Sequence, residues 1–201
     1  MTLDAPDGQP PAQAGRKRAE LSMVIWTLGH STRSLDAFLA LLVAHDIQRL
    51  GDIRTIPQSR RHPHFGQAAL ARSLADAGIG YTHLPGLGGL RKPRPDSINT
   101  AWRHAGFRGY ADYMQTPPFA EAIAELLRLA AIDRVAIMCA EAVPWRCHRQ
   151  LVADALVARG VEAREIESPA RTRPHALTAW ARVDGERVTY PGVESEPPGP
   201  L

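Results

Sequence analysis

The chain of 201 residues is 44% hydrophobic and 22% charged, with a formal net charge of +3, the profile of an ordinary globular domain with room for a proper core. No apolar run approaches the roughly 20 residues that span a bilayer, and the opening MTLDAPDGQPPAQAGRKRAE lacks the apolar segment of a secretory signal. No membrane partner is therefore expected, and two cysteines without an export signal point to a reducing, cytoplasmic setting in which thiols stay free.

Residues 1–21, rich in Pro, Gln, Gly and Ala, read as a disordered lead. MVIWTLGH is an apolar run of strand length. Ser34 is placed to cap a helix over LDAFLALLVAHD, where Leu35, Phe38, Leu39, Leu42 and Val43 recur at helical spacing. QRLGDIR reads as a second strand, GQAALARSLADAG as a helix stopped by Gly78, and IGYTHL as a third strand. A long irregular stretch follows, PGLGGLRKPRPDSINTAWRHAGFRGY, of a kind usually functional or disordered. PPFAEAIAELLRLAAID is an amphipathic helix, RVAIMCAE a fourth strand, and PWRCHRQLVADALVARG a helix entered through Pro144 and left at Gly160. VEAREIE is a fifth strand, and ARVDGERVTYPG reads as a hairpin about Asp184-Gly185.

Strands alternating with helices, the strands apolar almost throughout, imply one α/β domain over residues 22–192. Its sheet is expected to be mostly parallel, with helices on both faces in a Rossmann-like layering, a C-terminal β-hairpin and a tail over 193–201. In such sheets ligands collect at the carboxyl ends of the strands. The residues that fall there are His30 and Ser31 after the first strand, and Asp52, Arg54, Ser59 and Arg60 after the second. The third strand carries Tyr81 and His83, and the fourth ends in Cys139 and Glu141. Their convergence on one edge is the main sign of a site.

Charge is uneven along the chain. Nine basic residues between Arg54 and Arg108 face only Asp76 and Asp96, so that segment is +7 and the remainder −4. Such a segment suits an anionic small molecule or nucleic acid as partner, although a solvated basic face has the same composition. Arg54, Arg60, Arg108 and Arg149 are the forked donors that would hold an anion.

The two cysteines sit close together in VAIMCAEAVPWRCHR. Cys139 lies in an apolar strand, where a free cysteine ordinarily packs as an inert side chain. Cys147 is read in the first turns of the following helix, where the helix dipole with Arg146, His148 and Arg149 would favour a thiolate. A phosphatase-type cradle fits poorly, because AEAVPW contains no glycine and Pro144 removes a backbone donor. Zinc fits poorly too, since neighbouring helical residues such as Cys147 and His148 point about 100° apart. No cofactor is indicated: the glycines of LPGLGGLRKP lack the strand–GxGxxG–helix setting of a dinucleotide site. A thiol or carboxylate acting beside cations remains, with Glu141 as general base and His30 or His148 as its partner.

Five blocks in order, LGHSTRSLDAFLALL, GDIRTIPQSRRHPHF, HLPGLGG, FRGYADYM and MCAEAVPWRCHR, resemble the bacterial family catalogued as domain of unknown function 488. The resemblance runs from about Trp26 to Tyr190 and implies an α/β domain without naming a reaction. Its motifs fall on His30, Ser31, Asp52, Arg54, Ser59, Arg108, Tyr110, Cys139, Glu141, Cys147, His148 and Arg149.

Two functions follow. The first is an enzyme, or a ligand-binding relative of one, acting on a phosphate-bearing ligand at the sheet edge. Glu141, His30, Cys147, His148 and Cys139 would be its reactive groups; Ser31, Asp52, Arg54, Ser59, Arg60, Arg108, Tyr110 and Arg149 would bind the ligand. The second is a nucleic-acid-binding module without chemistry, in which Trp102, Phe107, Tyr110 and Tyr113 stack bases among the arginines of segment 54–113.

Overall fold

The apolar run after the lead becomes strand β1 (Val24–Gly29), in a computed structural model that describes residues 23–59 and 61–192. The expected disordered lead, the expected tail and Arg60 lie outside the described residues. Helix α1 (Leu35–Ala44) follows, capped by Ser34, whose Oγ accepts the Ala37 N–H at 3.2 Å. Phe38, Leu41 and Leu42 form its buried face; Val43, expected there, is 58% exposed, being rotated about 100° from Leu42.

Strand β2 (Arg49–Asp52), helix α2 (Gln67–Asp76) and strand β3 (Gly80–His83) come next, with Gly78 at φ 72° ending the helix. The segment expected to be irregular up to Tyr110 contains helix α3 (Ala105–Tyr113). Helix α4 (Pro117–Ala130), strand β4 (Val135–Cys139), helix α5 (Arg149–Val157) and strand β5 (Glu162–Ser168) complete the alternation. Strand β6 (Arg171–Pro174), which the sequence reading did not include, turns back along β5. A separate hairpin of β7 (Arg182–Asp184) and β8 (Arg187–Thr189) forms about Gly185, as its Asp-Gly pair implied.

Six strands make one sheet in the order β3-β2-β4-β1-β5-β6, parallel except for the edge strand β6. The fold is therefore a single α/β domain with a mostly parallel sheet. Right-handed crossovers set its layering. Going from β1 out to β2 and β3, the chain lays α1 and α2 on one face. There Phe38, Leu42, Phe65, Leu70 and Leu74 pack on Trp26, Leu28, Leu50, Ala136 and Met138. Returning through β4 to β5, it lays α3, α4 and α5 on the other face, against Ile25, Ile53, Val135, Ile137 and Ala163.

Strand β4 consequently lies between β2 and β1 while its own onward connection leaves on the opposite face from theirs. That reversal parts the loops and opens a crevice at the carboxyl ends of the strands. Among the described residues no helix is long and apolar enough to cross a membrane.

Candidate functional site

The crevice is a pocket of about 310 Å³ whose lining includes His30, Arg54, Ser59, Cys139, Glu141, Cys147 and His148. Five of the residues expected at the strand ends, His30, Arg54, Ser59, Cys139 and Glu141, thus meet here, joined by Cys147 and His148 from the segment after β4. The expectation came from topology alone, and the pairing of β1 with β4 and of β4 with β2 realises it.

Gly29 is required where β1 meets the site: a Cβ there would overlap the Glu141 carbonyl oxygen, which crosses over it. Beyond Gly29, the His30 and Ser31 N–H groups bond to the Cys139 and Ala140 carbonyls at 3.0 and 2.9 Å, continuing the β1–β4 ladder into the loops. Ser31 takes φ 50° to make this turn. It does not line the pocket.

His30 is buried and stacked on Phe65, ring centroids 4.2 Å apart. Its Nδ1 lies 2.9 Å from the Ser31 carbonyl oxygen, so that nitrogen carries the proton and Nε2 presents a lone pair. Nε2 is buried with no protein partner among the described residues. Desolvation lowers the His30 pKa to about 4, so the ring is neutral at physiological pH.

Asp52 and Arg54 form a buried unit. Arg54 donates from its backbone N–H and its Nε to Asp52 Oδ1 at 3.1 and 2.9 Å, and Nη2 grips Oδ2. Tyr81 donates its hydroxyl to Oδ2 at 2.8 Å, and His83 Nε2 donates to the Arg54 carbonyl at 2.9 Å. Asp52 is thus an anchor for Arg54 and does not line the pocket itself. The remaining Arg54 donor, Nη1, is buried without a partner among the described residues. Ser59 Oγ accepts the His62 N–H at 2.9 Å and shapes the loop over the pocket.

The cysteines differ from their expected roles. Pro144–Arg146 forms only one 3-10 turn, and Cys147 leaves it extended at φ −132°, ψ 143°, just before α5 and not within its first turns. Its sulfur accepts the N–H of Arg149, the first residue of α5, at 3.4 Å, and shares the pocket with the Cys139 thiol. The neighbouring Cys139 thiol and burial push Cys147 well above the ordinary thiol range. Cys139 is the favoured thiolate. The neighbouring Cys147 thiol and the Arg149 guanidinium, whose Nη1 is 2.9 Å from its sulfur, outweigh burial and bring its pKa down to about 7.

Arg149 is fully buried. Its Nη1 also reaches the Glu141 carbonyl at 3.1 Å, and its Nη2 the Glu165 carboxylate at 3.1 Å. This guanidinium therefore supports Cys139 through Nη1 and does not line the pocket; only its Nε is without a partner among the described residues. Glu141 places its side chain at the exposed rim and bonds neither expected histidine partner. His148 Nε2 donates to the Ile53 carbonyl at 3.1 Å, its Nδ1 faces Cys147 Sγ at 3.7 Å, and desolvation lowers its pKa to about 4.

Two expected ligand contacts lie elsewhere. Tyr110 is buried on α3, bonded to the Leu87 carbonyl at 2.8 Å and packed on the His148 ring. Arg108 lines a separate surface hollow with Pro93, Arg94 and Thr100. The aromatic residues proposed to stack bases are also engaged. Trp102 and Tyr110 are core, while Phe107 and Tyr113 pack against it, Phe107 stacked on Trp102 at 4.9 Å.

Sequence reasoning missed Glu165, the partner of Arg149, which also accepts a hydrogen bond from Thr27. A carboxylate in a strand interior to the sheet was its signal, since such a group requires a buried cation. Also missed was the apolar rim of Ile56 and Leu90. A sequence model of the family described as Domain of unknown function DUF488 matches residues 34–156 of the chain. No curated protein matches it.

Proposed function

The chain belongs to the DUF488 family of domains of unknown function, and from the geometry of its own pocket we propose a small-molecule enzyme that works through the Cys139 thiolate in the reducing cytoplasm. The observation that carries this reading is one sulfur on a buried cation, in a pocket with two unpartnered polar atoms. Cys139 Sγ rests on a buried guanidinium, in a pocket that also holds an unpartnered donor, Arg54 Nη1, and an unpartnered acceptor, His30 Nε2. Burying such groups unsatisfied costs stability, and a ligand that pairs with them recovers it.

In this reading the thiolate attacks an electrophilic carbon or phosphorus, and Arg54 Nη1 binds the oxygen on which charge develops. Neutral His30 accepts the proton of an attacking water in the second half-reaction. One free guanidinium donor suits a single carbonyl, carboxylate or phosphoryl oxygen better than a nucleic-acid backbone, which is gripped through many cations. The phosphate-bearing ligand expected from the charge pattern is thus narrowed to a small one.

Activated esters test this. Incubation with p-nitrophenyl acetate should give a stoichiometric burst of nitrophenolate and an acyl adduct on Cys139. The burst should vanish in Cys139→Ser and slow by at least about tenfold in Arg54→Gln, the scale set by losing one oxyanion donor. p-Nitrophenyl phosphate run in parallel reports whether phosphoryl groups are taken. A burst that survives Cys139→Ser overturns the assignment.

A further inference from the structure

The mechanism above uses one thiol, yet the pocket contains two. Both cysteines are buried, at 2% and 4% exposure, both are free, and both line the same pocket. They are bound to opposite ends of one residue, the Arg149 side chain on Cys139 and the Arg149 backbone N–H on Cys147. The two thiols are close enough for each to shift the other's pKa, Cys139 down and Cys147 up. A buried structural cysteine would need none of this, and the extended break at Cys147 between the 3-10 turn and α5 is what brings its sulfur there.

We propose that Cys139 and Cys147 form a peroxide-reactive dithiol pair that closes to an intrachain disulfide. The proposal rests on Cys139 being the reactive sulfur, as argued above, and adds a partner and a substrate class, a hydroperoxide. The Cys139 thiolate attacks the terminal oxygen of the hydroperoxide. The O–O bond breaks, Cys139 becomes a sulfenic acid, and the alkoxide leaves. The alkoxide takes the Cys147 thiol proton and departs as the alcohol. The Cys147 thiolate then attacks the sulfenic sulfur, forming the S–S bond and expelling hydroxide. Two electrons pass from the thiols to the peroxide, which ends as one alcohol and one hydroxide.

The pair is asymmetric in the sense this requires. Cys139, supported by Arg149, is the attacking sulfur, and Cys147 holds a proton until the second step. Oxidation also removes the thiolate from Arg149, leaving that guanidinium to Glu165 and the Glu141 and Ala142 carbonyls. Closing the disulfide would thereby silence the nucleophile while leaving the surrounding charges paired.

Treatment of the reduced full chain with equimolar hydrogen peroxide tests the pair. Intact mass should fall by two hydrogens, peptide mapping should join Cys139 to Cys147, and dithiothreitol should restore both thiols. Cys147→Ser should instead stop at a sulfenic acid on Cys139 that dimedone traps, and Cys139→Ser should give neither product. Iodoacetamide labelling of the untreated wild-type chain separates the two readings without any variant. Rapid labelling of Cys139 with no disulfide after peroxide overturns the pair and leaves the nucleophile standing. Slow labelling with no disulfide overturns both.

Discussion

Arg149 Nη1 lies 2.9 Å from Cys139 Sγ, with no solvent around the guanidinium. The same side chain holds Glu165 through Nη2, so one cation is shared between a thiol and a carboxylate. Arg149→Met should therefore cost roughly 3–5 kcal/mol in urea unfolding, because it leaves a buried carboxylate uncompensated. Glu165→Gln acts differently: removing the competing negative charge should lower the Cys139 pKa further and move its alkylation profile to lower pH. An unmoved or raised profile in Glu165→Gln would contradict the shared-cation arrangement.

Asp52 is the anchor of the Arg54 side chain and accepts from Tyr81 as well. Asp52→Asn should destabilise the fold by roughly 3–5 kcal/mol, as removal of one partner of a buried ion pair does. Tyr81→Phe, which removes one neutral donor and leaves the ion pair, should cost only about 1 kcal/mol. Urea midpoints at constant m-value decide this, and equal losses for the two variants would show that Asp52 is not the centre of the unit.

Acid should loosen the pocket through its histidines. His30 and His148 have pKa values of about 4 against an ordinary 6.5, both lowered chiefly by desolvation. Between those values the unfolded chain binds more protons than the folded one, so stability is full above about pH 6.5 and declines as pH falls toward 4. His30→Gln should flatten part of that decline when unfolding free energies are compared at several pH values across the window. An unchanged slope would mean that the His30 ring protonates in place without penalty.

Leu90 is 81% exposed at the mouth of the pocket and sits at φ 52°, a left-handed conformation that leucine rarely takes. Strain at an exposed apolar residue contributes nothing to the core, and such strain collects at functional sites. Leu90→Gly should change stability by less than about 1 kcal/mol, since relief of strain offsets the greater freedom of the unfolded chain. It should also slow acylation by longer-chain p-nitrophenyl esters more than by the acetate. Equal slowing of all esters would remove Leu90 from substrate contact.

Much of this arrangement could be read from local residue chemistry. Ser34 capping α1, and Gly78 and Gly160 at φ 72° and 74° beyond their helices, are signals carried by single residues with a steric reason. The strand ends converge because alternation of strands and helices permits few topologies. What was illegible depended on distant contacts. Helix α3 contains Gly106 and Gly109, which argue against a helix locally. Gly109 is needed because the backbone of Arg91, Lys92 and Pro93 passes so close that a Cβ would meet it at about 2.5 Å. Cys147 looked helical because nothing between Pro144 and Gly160 breaks a helix. Its extended conformation goes with its contacts to the Arg149 N–H and His148 Nδ1, which no spacing along the chain reveals. Arg149 read as a ligand-gripping arginine for the same reason, its partner Glu165 lying a strand away.

Alkylation with iodoacetamide from about pH 5 to about pH 9, with each cysteine mapped by mass spectrometry, decides which sulfur is the thiolate. Cys139 should label in the native chain with a midpoint near pH 7, while Cys147 stays silent until the protein is unfolded. If Cys147 labels first, or if neither labels before unfolding, then Arg149 does not support a reactive Cys139 and the pocket does not work through this thiol.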